Sequence, residues 1–289
     1  MQEEIICFCE QYQYPKEAIQ TLVNVYDTIE LTPSIKELFM EARQNYAQTP
    51  FIDYNRYLDC LKISCKKESV PWETASLLFH ICLVPMLYQY YDACGLSHTL
   101  CHASLEDLKW KLLECRQVYG IWGSFVPDWF VGFFQLTRFT LGRLQFEQVP
   151  FPEDYASSGR KRPTGISHAI NIHIPSSGPL RHEDCVDSYQ RAADFFQHTK
   201  TAFFCNSWLL FPEHTLFLPE HSRILDFMKD FDIYYSYQDP AGSNLWRIFG
   251  QPDCSDIAGL PARTSLQQTY KEWLLSGNTP GIGRGLFLY

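Results

Sequence analysis

Apolar residues recur at helical spacing through the first part of the chain. Ala18, Leu22, Val25 and Ile29 fall on one helical face. Thr32-Pro33, followed by Glu37 and Leu38, reads as a capped helix start with proline at the first helical position. Residues 71–89 are strongly apolar and too long for a strand; Pro85 is placed to kink them and Gly95 to end the run. Ser104-Leu105-Glu106-Asp107 has the form of a capping box that opens a helix through Tyr119. No alternating strand pattern occurs before Gly120.

The pattern changes after Gly120. Residues 127–135, rich in Trp and Phe, form one more helix, and residues 139–149 then alternate as a strand, with Arg143, Gln145 and Glu147 on one face. Residues 150–167 are a loop holding Arg160-Lys161-Arg162. Residues 169–174 are a strand, 175–180 a turn, and 183–198 a helix with Val186, Tyr189, Ala193 and Phe196 on one face. Further strands are expected at 202–210, 232–237, 245–249 and 285–289, and helices at 222–230 and Ser265–Leu275. The fold class is α+β: an all-helical N-terminal domain, residues 1–125, followed by a mixed α/β C-terminal domain, residues 126–289.

Composition narrows the function. Hydrophobic residues make up 46% and aromatics 16%, enough for a well-buried core. A net charge of −9 argues against a nucleic-acid partner, and the one short basic run reads as a solvated loop. No stretch approaches the roughly 18 consecutive apolar residues of a membrane span. Residues 1–10 lack the basic start of a signal peptide. The eleven cysteines, an odd number, are therefore expected to be reduced and mostly buried, in a cytoplasmic protein. Cys94, His98, Cys101 and His102 have metal-like spacing, but no second cluster repeats it and no metal is expected.

The unit with the most chemical potential is the strand at 169–174, the turn and the helix that follows. A helix start leaves several backbone N–H groups free, and its dipole adds partial positive charge. Ser176, Ser177 and Gly178 let backbone and hydroxyls approach a phosphate, and Arg181 adds a formal charge. Glu183 and Asp184 suit a helix start but oppose a phosphate. The same unit is also an ordinary connection in an α/β core.

Three strings carry a family resemblance: Leu141-Gly-Arg-Leu-Gln-Phe-Glu147, Ile172-His-Ile-Pro-Ser-Ser-Gly-Pro-Leu180, and Ser207-Trp-Leu-Leu210 continuing to Leu218-Pro219. In order and spacing they resemble the bacterial acyltransferase family that joins a helical N-terminal domain to a GNAT-like C-terminal domain. The resemblance implies a GNAT-like sheet, acetyl-CoA or another acyl-CoA as co-substrate, and a small amine as acceptor. Backbone amides along the strand up to Ile174 would polarise the thioester carbonyl. Ser222, Leu225, Phe227 and Phe231 follow the rhythm of a GNAT helix, with Arg223 where the family often has Asn. The usual phosphate loop, Gln/Arg-x-x-Gly-x-Gly/Ala, is absent from residues 175–180.

Within that frame His173 is a candidate general base for the acceptor amine, with Glu147 as its rival. Cys205 and Ser207 share a strand face; either could donate to a departing thiolate, and Cys205 could instead form an acyl-enzyme. Arg143 and Gln145 would line the acceptor pocket, and Trp122 and Trp129, with Phe130, Phe133 and Phe134, would wall an acyl or acceptor pocket. Each has a plainer reading: a hydrogen-bonded core histidine, packed sulfur and hydroxyl, a solvent-facing strand and an aromatic core. The alternative for the whole chain is a non-catalytic GNAT-like ligand-binding or interaction protein.

Overall fold

In the first part of the chain, the computed structural model has helices α1 (Gln2–Gln11), α2 (Lys16–Glu30), α3 (Pro33–Tyr46), α4 (Tyr54–Glu68), α5 (Trp72–Ile81), α6 (Val84–Ala93), α7 (His98–Tyr119) and α8 (Val131–Phe134), the last preceded by a 3-10 turn at Pro127–Phe130. Residues 1–197 and 200–289 are described. Met1–Phe139 forms one compact unit and Thr140–Tyr289 another, so residues 126–139 pack with the helices. Among the described residues no helix is long and apolar enough to cross a membrane.

Local chemistry explains where the helices begin and end. Ala18, Leu22, Val25 and Ile29 form the buried face of α2, as their spacing predicts. Pro33 opens α3, but Thr32 does not cap it; its hydroxyl donates to Thr28 O at 2.8 Å. The apolar run at 71–89 is two helices, not one kinked helix. The chain turns at Cys82-Leu83, and Pro85, lacking an N–H, sits in the first turn of α6 where none is needed. Gly95 takes φ +67° just beyond α6. The start expected at Ser104 is in error: α7 begins at His98, because Ser97 accepts from Leu100 N–H at 3.2 Å, and Ser104 is buried mid-helix.

One sheet holds strands β1 (Arg138–Leu141), β2 (Leu144–Pro150), β3 (His168–His173), β4 (Ala202–Ser207), β5 (Asp232–Gln238) and β6 (Gly281–Leu288), in the order β1-β2-β3-β4-β6-β5, and β2 to β6 belong to the second unit. The β3–β4 pair is parallel, while β2–β3, β4–β6 and β5–β6 are antiparallel. The single strand expected at 139–149 is two, because Gly142 turns the chain at φ +75°. Residues 202–210 pass from β4 into a 3-10 turn at Trp208–Leu210. Residues 245–249 are helical rather than extended: Trp246–Phe249 makes one turn that ends on Gly250 at φ +69°.

The remaining helices are α9 (Asp154–Ser157), α10 (His182–Phe196), α11 (His214–Phe217), α12 (Arg223–Met228), α13 (Trp246–Phe249) and α14 (Ser265–Leu275), the last opened by a Thr264/Gln267 capping box. The buried face of α10 is Cys185, Ser188, Tyr189 and Ala192, not the face through Val186, which is 41% exposed. His198, expected to end this helix, lies outside the described residues.

Strand alternation divides the core. Leu144, Phe146, Ile170, Ile172, Phe203 and Cys205 pack against Cys185, Tyr189 and Ala192 of α10. Ala169, Ala202, Tyr234 and Leu286 are covered instead by Phe151 and Tyr155 from the segment around α9. Two ion pairs tie that segment to the sheet: Arg160 grips Asp232 at 2.5 and 2.6 Å, and Arg284 pairs with Asp154.

Candidate active site

The central parallel pair opens at one end. Among the described residues the ladder joins Ile170 to Phe203 and Asn171 to Phe204, and goes no further. Yet β3 runs on to His173 and β4 to Ser207. Their outer partners stay in register, with Gln145 opposite His173 and Gly283 opposite Ser207. The two strands therefore part at their carboxyl ends, leaving backbone edges that face each other without a ladder. Parallel sheets take ligands at such ends.

One lip of this opening is the turn after β3. Among the described residues, the N–H groups of Ser176, Ser177, Gly178, Leu180 and Arg181 donate to no protein acceptor. Ser176, Gly178 and Arg181 are exposed, and Arg181 is the residue just before the first turn of α10. The free amides and the helix start make an anion-friendly rim. Glu183 and Asp184 in the first turn, and Asp230, which binds His182 at 2.7 Å and Tyr189 at 3.1 Å, work against it. Arg223 is exposed at the first position of α12.

The sheet face opposite α10 carries a polar group of four. Asn171 and His173 of β3 share it with Gln145 and Glu147 of β2. His173 Nε2 lies 3.2 Å from Glu147 Oε2, with side chains 16% and 22% exposed. Asn171 Nδ2 lies 3.3 Å from the same nitrogen. Gln145 is 1% exposed, and its Oε1 has no hydrogen-bond partner among the described residues. The two candidate bases are thus neighbours in one cluster. Asn171 was not singled out from the sequence, although its place two residues before His173 on a strand puts both on one face.

Other candidates sit elsewhere. Arg143 does not share a strand face with Gln145 and Glu147; it lies in the β1–β2 turn, and its guanidinium donates to Gly178 O at 2.8 Å and Pro179 O at 3.1 Å. Cys205 is fully buried in the core beneath α10, and burial pushes its thiol far above the usual range. A thiol that stays protonated is a poor nucleophile, so the acyl-enzyme role does not suit it. Ser207 Oγ accepts from Leu209 N–H at 3.2 Å and caps the 3-10 turn after β4. Trp122 and Trp129 belong to the first compact unit. There Arg116 lies 4.8 Å over the Trp122 ring, and Trp129 Nε1 donates to Asp107 at 2.9 Å.

All eleven cysteines are free. Among the described residues no group of three His, Cys, Asp or Glu side chains could hold a metal ion. Of the spaced set, His98 binds Asp92 at 2.8 Å, His102 stacks on Tyr12 at 4.5 Å, and Cys101 is buried.

Known proteins give this geometry a context. Residues 138–287 match the GNAT-like C-terminal domain, and residues 3–136 match the N-acyltransferase N-terminal domain. No curated protein sequence matches the chain. Among solved structures, an acyltransferase in complex with decanoyl-CoA is 21% identical with a TM-score of 0.78, over 99% of this chain and 87% of that one. An acyltransferase in complex with decanoyl-CoA and teicoplanin is 19% identical, TM-score 0.77, over 99% and 88%. An acyltransferase mutant in complex with octanoyl-CoA is 18% identical, TM-score 0.78, over 98% and 87%. At these identities the likeness is one of fold. The two domain matches, which together span nearly all of the sequence, decide the matter: the chain belongs to the N-acyltransferase family that joins an N-acyltransferase N-terminal domain to a GNAT-like C-terminal domain.

Proposed function

We propose that the chain is an acyl-CoA-dependent N-acyltransferase that moves an acyl group to an amine by direct attack. The parting of β3 and β4 beyond Asn171 and Phe204 carries this reading. It offers a slot for an extended thioester arm between an anion-friendly turn and the His173 imidazole. Relatives with the same fold hold decanoyl-CoA or octanoyl-CoA, one of them with teicoplanin present, which supports a long-chain donor and an amine acceptor here.

The chemistry follows from the groups at hand. The free amides of the 175–181 connection receive the diphosphate of the donor. Backbone N–H groups along β3 and on to Ile174 polarise the thioester carbonyl. His173 takes the proton that prevents the acceptor ammonium from attacking, and Glu147 stabilises the imidazolium that results. The amine nitrogen then forms its C–N bond, the C–S bond breaks, and the coenzyme A thiolate leaves with a proton from the attacking amine. Use of a coenzyme A thioester, together with cysteines that form no disulfides, fits a cytoplasmic setting.

Isothermal titration with acetyl-CoA and decanoyl-CoA tests the donor. Saturable heat with either supports the reading. No heat and no thermal shift from either at millimolar concentration rejects it.

A further inference from the structure

Arg143 has more structural reach than a turn residue needs. The Gly142-Arg143 tip is seated on the first two turns of α10: a Cβ on Gly142 would come within 2.7 Å of Ser188 Oγ and 3.3 Å of Asp187 Oδ2. Arg143 N–H donates to Ser188 Oγ at 2.8 Å, and Ser188 Oγ donates in turn to Asp184 O at 2.6 Å. From that anchored base the guanidinium grips the carbonyls of Gly178 and Pro179 through Nη2 and Nε. Its Nη1 is buried and has no partner among the described residues.

Peptide planarity turns this grip into an orientation. In a trans peptide the C=O and the following N–H point to opposite sides. Drawing Pro179 O towards Arg143 therefore directs the Leu180 N–H away from it. Drawing in Gly178 O leaves no N–H wasted, because the next residue is a proline. Gly178 itself takes φ +133°, a conformation that side-chain-bearing residues rarely adopt. Among the described residues Arg143 makes the hydrogen bonds to these two carbonyls. The usual glycine-rich phosphate-loop pattern is absent from this turn.

We propose that Arg143 is the positioning residue of the donor site: it holds the 175–181 connection in the shape that presents its free amides to the diphosphate of an acyl-CoA. The role rests on the function proposed above and assigns Arg143 to the donor end of the site rather than to the acceptor pocket. A planar, forked cation suits it, since two carbonyls must be held at once; an ammonium is a point charge without that fork.

Titration calorimetry with decanoyl-CoA and with decanoyl-pantetheine, which carries the same thioester arm but no diphosphate or nucleotide, isolates this role. The wild-type protein should bind decanoyl-CoA the more tightly. Arg143→Ala should weaken decanoyl-CoA binding about tenfold to a hundredfold, the scale of lost charge-assisted hydrogen bonds, and leave decanoyl-pantetheine binding unchanged. Arg143→Lys, which keeps the charge and is gentler on folding, should stay impaired. Equal weakening towards both ligands would make Arg143 merely structural and overturn the proposal, as would full rescue by Lys or equal wild-type affinity for the two. Failure of the wild-type protein to bind decanoyl-CoA at all would instead reject the acyltransferase reading.

Discussion

Glu147 Oε2 lies 3.2 Å from His173 Nε2, on the diagonal of the β2–β3 ladder, since Glu147 directly opposes Asn171 and His173 directly opposes Gln145. Asn171 competes for the same ring nitrogen at 3.3 Å. The nitrogen can donate a proton to the carboxylate or accept one from the amide, but not both. The pair of neighbours thus offers a partner to the imidazole before and after it takes a proton.

This arrangement allows the two candidate bases to be told apart. His173→Ala should lower kcat by roughly 10²–10⁴, the usual range for a general base. Glu147→Gln should cost less and move the acid limb of the pH–rate profile to lower pH, because the lost negative charge no longer favours the imidazolium. Release of free thiol from decanoyl-CoA, followed against pH, distinguishes them. A Glu147→Gln loss equal to that of His173→Ala, with no shift of the limb, would reverse the roles.

Cys205 gives a sharper contrast. It packs beside Phe203 and under α10, without exposure. Cys205→Ala should keep thiol-release turnover and lower stability by about 1 kcal/mol, as a small core change does. Abolished turnover in a folded variant would mean transfer through an acyl-enzyme.

Acid should destabilise both compact units through one histidine each. His80 is fully buried, donates from Nδ1 to Ser76 O at 2.9 Å, and is held down to about 4 by burial. His214 is likewise buried, contacts Tyr270 OH at 2.7 Å, and is also held down by burial to about 4. Their ordinary value is 6.5, so between these limits the unfolded chain binds more protons than the folded one. Stability is then complete above about pH 6.5 and declines as pH falls towards 4, by up to about 3 kcal/mol for each group. Urea midpoints measured from pH 7.5 to 4.5 should fall; a flat series would show that these imidazoles titrate normally.

Close backbone approach predicts an intolerant position. A Cβ on Gly283 of β6 would lie 1.9 Å from Leu210 O, and one on Gly281 would lie 2.2 Å from the Phe211 ring. The 3-10 turn after β4 is pressed flat on β6. Gly283→Ala should destabilise the second unit by about 3 kcal/mol or more, since backbone rather than a flexible side chain must yield. A melting temperature within a degree of wild type would refute the close packing.

The sequence made some of this legible and hid the rest for physical reasons. Ser265–Leu275 is legible as a helix with the bounds it has in the fold. The run at 245–249 is not, because a short apolar stretch fits one buried helical turn as well as a strand. The β1–β2 turn is hidden in the sequence because alternation continues across Gly142 and Arg143. Arg143 is therefore in a turn beside Gly178 and Pro179 rather than on the strand face of Gln145 and Glu147. His173 and Glu147 are each legible as candidate bases, yet their pairing depends on strand register, which a lone sequence does not carry. Asn171 fell out of view for the opposite reason: only its neighbour's chemistry drew notice, although the period of two already placed them together.

Sheet order has its own consequence for how the second unit is assembled. β6 lies between β4 and β5 yet follows both in the chain. Until it inserts, β5 has no partner and β4 keeps an open edge beside it. During synthesis the strands are therefore translated well before they can be joined, and closure waits on contacts between segments far apart in sequence, which are slow to form. The late piece is also the glycine-spaced one, so the strand that completes the sheet slides in with few side chains in its way on the side that meets Leu210 and Phe211.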